Sequence, residues 1–291
     1  MRLVTVRTDA GARAGVVVEV EGTDRVALLE DSVREVLGAA GGGAARQRAE
    51  EAAASADASS PALAELTLAA PVTPSKILCL GYNYRGHVPD GVDPTADDPE
   101  FPDVFVKTPN TLAGASDDVV IPAGAVDADY EGELAIVIAR RAHEVSLDDA
   151  LDHVGGYTIL NDVSDRAWQR RQSQWALGKC SDGFAPLGPW IVTTDEAPDP
   201  QDVLVEVVRD GVVTVSQSTS TTIFSVASVA HHLSQVMTLE PGDVISTGTR
   251  QKLPEAQASH RPLAPGDAVT VRISGIGELT TRFVAPAPPG R

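Results

Sequence analysis

The sequence predicts an α+β fold that is mainly β, with a small N-terminal α/β domain ahead of a larger β-rich domain. Short apolar runs separated by Gly, Pro and Asp fill residues 71–291, which is typical of a mixed, mostly β architecture. Residues 1–70 instead combine strand-like runs with an Ala/Glu-rich stretch typical of helices. The length of 291 residues suits one main domain with a smaller appendage, and Pro71 marks the predicted boundary.

The N-terminal region begins with a predicted β-hairpin. Residues 3–7 and 15–20 read as strands on either side of the turn-prone Asp9-Ala10-Gly11. A helix is expected over residues 31–37, and the glycine-rich run 38–43 predicts a flexible connection. Helical sequence then continues to about Leu68.

The larger region is predicted to contain many short strands and one clear helix. The strands cover residues 76–80, 104–106, 119–121, 134–138, 157–160, 190–193, 203–208, 244–247 and 268–273. The helix covers residues 226–237, because Val226, Val229, Ala230, Leu233 and Val236 recur at the spacing of one helix face.

The chain is strongly acidic, with a formal net charge of −18. It has no Lys/Arg run to neutralise a phosphate backbone, so we do not expect nucleic acid as a partner. An anionic substrate would need local positive charge, either from a metal ion or from buried basic side chains. The acidity itself is typical of a surface adapted for solubility.

The cysteine content and the N-terminus both predict a cytoplasmic protein. Cys79 and Cys180 are too few for a disulfide framework and lack zinc-site spacing. The first twenty residues alternate in polarity without a continuous apolar segment, so we expect neither a signal peptide nor a membrane span. We expect Cys180 to be a structural thiol rather than a nucleophile.

Two glutamates precede a strand that is apolar on both faces. Glu131 and Glu133 run directly into residues 134–138, which should be buried. The period of two places both side chains on one face, where each charge disfavours ionisation of the other. A compensating positive charge is therefore expected nearby.

A third carboxylate, Asp162, ends the strand-like run 157–160 and is followed by Ser164. Three carboxylates offer hard oxygen ligands of the kind that Mg²⁺ or Mn²⁺ prefers. Spacing alone leaves another interpretation open, in which Glu131 and Glu133 are solvated strand residues and Asp162 forms a turn.

Two basic side chains are candidates for catalysis. His87 follows the glycine and aromatic residues 81–86, and Asp90 three positions later could orient it as a general base. Lys179 lies in a Gly/Pro-bounded stretch that could position its ammonium group. A solvated loop histidine and a surface lysine remain the alternatives.

Taken in order, these segments resemble the fumarylacetoacetate hydrolase family over about residues 76–284. The matching pieces are Gly81-Tyr82-Asn83-Tyr84-Arg85 with His87, Phe105-Val106-Lys107-Thr108-Pro109, Asp129-Tyr130-Glu131-Gly132-Glu133-Leu134, Asn161-Asp162-Val163-Ser164-Asp165-Arg166, Gly178-Lys179 through Pro189, Thr219-Ser220 with Ile223-Phe224, and residues 239–249. No single piece is decisive, but their common order is specific.

The resemblance implies a β-rich roll or sandwich that commonly forms homodimers. It implies Glu131, Glu133 and Asp162 as ligands of Mg²⁺ or Mn²⁺, and His87 with a nearby carboxylate as activators of water. The substrate would be a small 2-oxo acid. Its candidate contacts are Tyr84, Arg166, Gln169, Lys179 and Thr249.

The reaction that the resemblance favours is hydrolysis of a carbon–carbon bond in a 2,4-dioxo, acylpyruvate-like acid or a diketo sugar acid. The metal would stabilise the departing enolate, with help from Lys179. An oxaloacetate-type decarboxylase or a hydroxymuconate-type isomerase could use the same arrangement, so fold and metal leave the reaction open. A catalytically reduced dimeric binding protein is a further alternative.

The chain departs from the family pattern near the predicted pocket. Asp90 stands where a glutamate is common, which shortens that side chain by one methylene. After Thr249, the residues Arg250-Gln251-Lys252 replace the usual proline and glycine-rich turn. Arg250 and Lys252 could recognise a second carboxylate or could be exposed loop residues.

Overall fold

The computed structural model describes residues 1–39, 42–87, 93 and 97–287. The strands of these residues, in chain order, are β1 (Arg2–Thr8), β2 (Gly11–Val20), β3 (Thr23–Leu28), β4 (Ile77–Gly81), β5 (Asp103–Lys107), β6 (Leu112–Ala113), β7 (Asp118–Val120), β8 (Ala128–Asp129), β9 (Gly132–Ile138), β10 (Val154–Asn161), β11 (Ser164–Asp165), β12 (Ala185–Thr193), β13 (Leu204–Arg209), β14 (Val212–Ser218), β15 (Val244–Ser246), β16 (Ala268–Ile273) and β17 (Gly277–Val284). The helices are α1 (Val33–Gly38), α2 (Ala44–Ala54), α3 (Arg166–Gln169), α4 (Ala176–Lys179), α5 (Val226–Val236) and α6 (Pro254–Ala258). Strands dominate, which confirms the mainly β, α+β class.

Two sheets make up most of the molecule. The larger sheet has the order β3-β2-β1-β12-β10-β9-β15-β4-β5, with β6 beside β12, and the smaller has the order β14-β13-β16-β17-β7. Strands β9 and β10 pair antiparallel near the centre of the larger sheet, and every residue in both is buried. The predicted burial of residues 134–138 is therefore confirmed.

The smaller sheet packs directly against Gly132, between the two predicted glutamate ligands. A Cβ atom at this position would lie 2.5 Å from Cγ2 of Val207 and 2.8 Å from Cγ1 of Val271. Both valines belong to the smaller sheet. Only a residue without a side chain fits here, so packing between the sheets also sets the position of the glutamates on either side.

The N-terminal residues extend the larger sheet. Strand β1 pairs antiparallel with β12, and the predicted hairpin of β1 and β2 gains a third strand, β3. Residues 68 and 69, at the end of this region, form backbone hydrogen bonds in both directions along the chain. Ala69 N donates to the Thr5 carbonyl, and the Leu68 carbonyl accepts from Ser116 N. The domain boundary near residue 70 stays a prediction.

Helix α5 confirms the predicted amphipathic helix, which ends at Val236 and leaves that predicted face residue 73% exposed. Ser225 caps it by accepting a hydrogen bond from Ser228 N, and Val226, Val229 and Leu233 are buried. None of the helices in the described residues has the length and apolar character needed to cross a bilayer.

Gly114 provides a test of how residues 68–70 pack on the larger domain. An added Cβ would lie 2.4 to 2.6 Å from backbone atoms of Ala69 and Ala70, which cannot move like a flexible side chain. We expect Gly114→Ala to lower the free energy of unfolding by about 1–3 kcal/mol, as overpacking does. Gly124→Ala is the matched control, since its Cβ would meet nothing within 4 Å. Equal urea midpoints for the two variants would contradict this packing.

Candidate active site

The three predicted ligands converge where β9 begins and β10 ends. Glu131 directly precedes β9, Glu133 lies within it, and Asp162 directly follows β10. The antiparallel register brings these ends together, and Asp162 N donates to the Glu131 carbonyl at 2.8 Å. One carboxylate oxygen from each of the three side chains lies within 4.8 Å of the other two.

Two buried lysines compensate this negative charge. Lys179 Nζ donates to Glu131 Oε2 and to Asp162 Oδ2, each at 2.6 Å. Lys107 Nζ donates to Asp162 Oδ1 at 2.5 Å and to the Val163 carbonyl at 3.0 Å. The expectation of nearby positive charge from the glutamate spacing is thus confirmed.

The carboxylates differ in electrostatic state. Burial raises the pKa of Glu133 well above its ordinary value, and the charges of Asp162 and Glu131 raise it further. Burial also acts to raise the pKa of Glu131, but Arg166 and Lys179 outweigh burial and hold this pKa below its ordinary value. Glu133 therefore lacks the compensation that Glu131 has, although Ser246 Oγ and Gly248 N both donate to its Oε2.

This donor set fits a hard divalent cation. Glu131, Glu133 and Asp162 supply only oxygen atoms, and two of the three are almost completely buried. A cation among them would relieve the repulsion that raises the pKa of Glu133. The cluster therefore has the ligand chemistry of a Mg²⁺ or Mn²⁺ site.

A small cavity of about 70 Å³ opens beside the carboxylates. Five of the predicted site residues, His87, Arg166, Gln169, Lys179 and Thr249, line it together with Glu131 and Glu133. The aromatic rings of Phe105 and Trp175 form part of its wall, with centroids 5.3 Å apart. The structure thus gathers most of the predicted site into one place.

One predicted substrate contact lies outside the cavity lining. Tyr84 is 2% exposed and is not a lining residue of the cavity. Burial raises the pKa of its hydroxyl. Its role in substrate binding stays a prediction. Asp90, the predicted partner of His87, lies outside the described residues.

The His87 ring is held in one orientation. Its Nδ1 lies 2.8 Å from the Thr249 carbonyl oxygen. A carbonyl only accepts, so in the neutral ring Nδ1 carries the proton and Nε2 is the acceptor. Burial lowers the pKa of His87 from its ordinary value of 6.5, which favours the neutral form at pH 7. The ring therefore has the protonation state required of a general base.

A larger cavity lies away from this chemistry. It has a volume of about 830 Å³ and lies between the β1–β2 hairpin, α1 and residues 70–73. Its arginines are engaged with backbone carbonyls, Arg13 with Leu29 and Arg34 with Thr73. We place the active site in the smaller cavity, where the carboxylates, lysine and histidine converge.

Two residues that contact the carboxylates, Lys107 and Ser246, were not predicted from the sequence to belong to the site. Lys107 belongs to the segment 105–109 that resembles the family, and its conversion into a buried ion pair depends on the pairing of β5 with β4. Ser246 ends β15, which pairs with both β4 and β9 and so brings the hydroxyl to Glu133. The available signals were a lysine directly after the apolar run 104–106 and a serine at the end of the apolar run 244–245.

Lys107 provides a test of this buried charge balance. Both partners of the Lys107–Asp162 pair are 0% exposed. We expect Lys107→Met to lower the free energy of unfolding of the metal-free protein by about 3–5 kcal/mol, because a buried carboxylate loses a partner. The measurement is urea unfolding in EDTA.

The control for Lys107→Met is an exposed ion pair of the same length. Arg7 and Asp117 also lie 2.5 Å apart, but Arg7 is 45% exposed. Solvent screens this pair, so Arg7→Met should cost at most about 1 kcal/mol. A similar loss in free energy of unfolding for both variants would show that burial does not determine how much Lys107 contributes to stability.

Comparison with known proteins identifies the family. Residues 76–284 match the family profile described as "Fumarylacetoacetate (FAA) hydrolase C-terminal". Protein Rv2993c of Mycobacterium tuberculosis is 41% identical over 229 residues, which cover 78% of this chain and 82% of that protein.

Two solved structures match along almost the whole chain. A 5-carboxymethyl-2-hydroxymuconate delta-isomerase from Mycobacterium smegmatis has a TM-score of 0.79 and 32% identity, covering 99% of this chain and 100% of that one. A maleylpyruvate hydrolase from Sphingobium sp. SYK-6, solved with manganese(II) and pyruvate, has a TM-score of 0.79 and 28% identity at the same coverage. Together with the match over residues 76–284, these likenesses establish that the chain is an enzyme of the fumarylacetoacetate hydrolase family.

Proposed function

We propose that this enzyme is a divalent-metal-dependent hydrolase that cleaves a carbon–carbon bond in a small 2,4-dioxo, acylpyruvate-like acid. The observation that carries the proposal is the position of His87, which lines the cavity together with Glu131, Glu133 and Lys179 and whose Nδ1 contact with the Thr249 carbonyl leaves Nε2 as the unprotonated nitrogen of the neutral ring. A reaction in which water attacks needs such a base. The maleylpyruvate hydrolase among the structural relatives supports hydrolysis of an oxo acid in this fold.

The metal in this proposal is Mg²⁺ or Mn²⁺, held by Glu131, Glu133 and Asp162. When bound, it would act as a Lewis acid toward the oxygens of the 2-oxo acid. The manganese(II) ion and pyruvate of the maleylpyruvate hydrolase structure support this choice of ion and ligand class.

The remaining roles follow from the chemistry of the side chains around the cavity. His87 Nε2 accepts a proton from water, and the resulting hydroxide attacks the distal carbonyl carbon. The carbon–carbon bond then breaks, and its electron pair passes to the departing enolate. Burial lowers the pKa of Lys179, but Asp162 and Glu131 outweigh burial and raise it, so the ammonium stays charged beside that enolate. Arg166 and Gln169 offer donors to the substrate carboxylate.

An isomerase is the second candidate. The Mycobacterium smegmatis relative is named a 5-carboxymethyl-2-hydroxymuconate delta-isomerase and is similar over 99% of this chain. Isomerisation through an enolate needs proton transfer but no attack by water, so it uses the same cations and leaves His87 dispensable as a base for water. Oxaloacetate decarboxylation also passes through an enolate without attack by water, so it too needs no base for water.

Metal dependence is the first test of the proposed function. We expect Mn²⁺ or Mg²⁺ to support cleavage of acylpyruvates and EDTA to abolish it. Glu133→Gln should lose both cleavage and saturable Mn²⁺ binding in calorimetry, because the amide removes one anionic ligand. Glu278→Gln is the control, since Glu278 is an exposed residue paired with Arg272. Cleavage that survives EDTA, or release of CO₂ from oxaloacetate as the sole reaction, would contradict the proposal.

The His87→Ala variant separates hydrolysis from isomerisation. We expect kcat for hydrolysis to fall about 10²–10⁴-fold, the usual contribution of a general base, with Mn²⁺ affinity retained. His153→Ala is a matched control, because His153 Nδ1 also lies near a backbone carbonyl, that of Arg140, but on the protein surface. An unchanged kcat in His87→Ala would favour the isomerase.

The pH dependence of hydrolysis should report the same histidine. A base must be neutral, so kcat/KM should rise with pH through the pKa of His87 and then level off. Because burial lowers this pKa from 6.5, we expect the midpoint of the rise to lie below pH 6.5. The profile should lose this acidic limb in His87→Ala. A limb centred above pH 6.5 would assign the titration to another group.

We further propose a cytoplasmic homodimer, on the family resemblance alone. A monomeric mass by light scattering of the purified protein would contradict the dimer.

A further inference from the structure

Arg166, a proposed substrate contact, has its guanidinium engaged on three sides. Nη1 donates to Gln169 Oε1 at 3.0 Å, and Nη2 donates to Glu131 Oε1 at 2.6 Å. The third partner is Asp129, whose Oδ2 accepts from Nε at 3.2 Å and from Nη2 at 3.1 Å. Nη2 is therefore shared between Asp129 and the predicted metal ligand Glu131.

The pairing of Arg166 with Asp129 differs from most arginine–aspartate pairs of the described residues. Five other arginines each place two nitrogens on the two separate oxygens of one aspartate, namely Arg2, Arg7, Arg46, Arg48 and Arg261. That fork is the preferred geometry of an arginine–carboxylate pair. At Asp129 both nitrogens instead converge on a single oxygen. The exposed Arg85 likewise places Nε and Nη2 on Asp98 Oδ2 alone.

Lys252 binds the other oxygen of Asp129. Its Nζ donates to Asp129 Oδ1, the oxygen that a fork would require. The ammonium also lies 4.3 Å from the centre of the Tyr130 ring, and the side chain is 12% exposed. A carboxylate and an aromatic face thus hold the lysine in place, unlike a freely moving surface lysine.

Asp129 remains ionised between its two cations. Burial acts to raise its pKa, but Arg166 and Lys252 outweigh burial and lower it. The residue is 6% exposed, so a substrate carboxylate would have to displace a buried internal partner to reach Lys252. Arg250 is likewise engaged, since its Nη1 donates to Gln217 Oε1. These contacts argue against the interpretation that Arg250 and Lys252 recognise a second carboxylate.

We infer that Lys252 is a positioning residue for Arg166. By donating to Asp129 Oδ1, it holds the carboxylate with Oδ2 toward Arg166, so that Nη2 stays shared between Asp129 and Glu131 beside the cavity. Leu253 N donates to the Thr214 carbonyl at 2.8 Å, which anchors the Lys252 segment to β14. The segment that departs from the family pattern after Thr249 thereby sets the orientation of a cavity cation.

The structural test is a crystal structure of Lys252→Met. We expect Arg166 to place Nε and Nη2 on separate oxygens of Asp129, and the Nη2 to Glu131 Oε1 distance to exceed about 3.5 Å, beyond hydrogen-bond range. Lys252→Arg should retain the original pairing, because a guanidinium can still donate to Oδ1. An unchanged Arg166 in Lys252→Met would overturn the inference. Lys252→Ala carries the same expectation if Lys252→Met does not fold.

The functional test uses pyruvate binding to the Mn²⁺-loaded protein in calorimetry, and it rests on the proposed function only for the choice of probe. We expect Lys252→Met to weaken pyruvate binding about tenfold, the effect of misdirecting one charge-assisted hydrogen bond. Arg250→Met, which removes the same charge from the same segment, should change it less than about twofold, because solvent screens such a charge. Mn²⁺ affinity should stay within about threefold of wild type, since Lys252 contacts no ligand oxygen.

A double-mutant cycle distinguishes positioning from a general structural role. In an Arg166→Met background, adding Lys252→Met should change pyruvate affinity less than about twofold, because the two residues act through one contact. Additive losses would overturn the inference. Neither this cycle nor the crystal structure needs turnover. Failure of every dioxo acid to react would therefore count against the proposed function alone.

Discussion

The site depends on the burial of several carboxylates at one point, where β9 begins and β10 ends. Glu131, Glu133 and Asp162 could not remain there as bare charges, because each raises the cost of ionising the others. Lys107 and Lys179 supply positive charge from β5 and α4, and both are themselves buried. The strands, the lysines and the proposed divalent cation would therefore be parts of one electrostatic balance.

The strands around the carboxylates are packed so that these charges stay buried in fixed positions. Gly132 lets the smaller sheet pack against the backbone between the two glutamates, and the central strands β9 and β10 are buried throughout. Strands β9 and β10 and the residues that flank them hold the carboxylates, whereas the histidine and the Thr249 carbonyl come from connecting segments and the arginine from the short helix α3. Such a division places charge on the stiffest elements and leaves substrate contacts on segments that differ more readily between related enzymes.

Local pattern predicted many elements of the fold. The helix at residues 226–236 followed from its period, and β16 was predicted with the bounds that the structure shows. Strands β3, β14 and β17 were not predicted. Strand β3 contains Asp24 and Arg25, which weaken an apolar pattern, yet pairing with β2 makes it a strand. Strands β14 and β17 are stabilised by pairing with β13 and β16, respectively. A local sequence pattern does not reveal such pairing.

The sequence by itself determined the mainly β class, the family, and the residues that supply the carboxylates, the histidine and the lysine of the site. These follow from short-range spacing and from the order of segments along the chain. Only the tertiary structure decided which cations meet which carboxylates. Lys107 reaches Asp162 across 55 residues, Ser246 reaches Glu133 across 113, and Lys252 reaches Asp129 across 123. Such contacts arise from strand pairing and sheet packing, whose partners lie far apart in sequence, so no local period could report them.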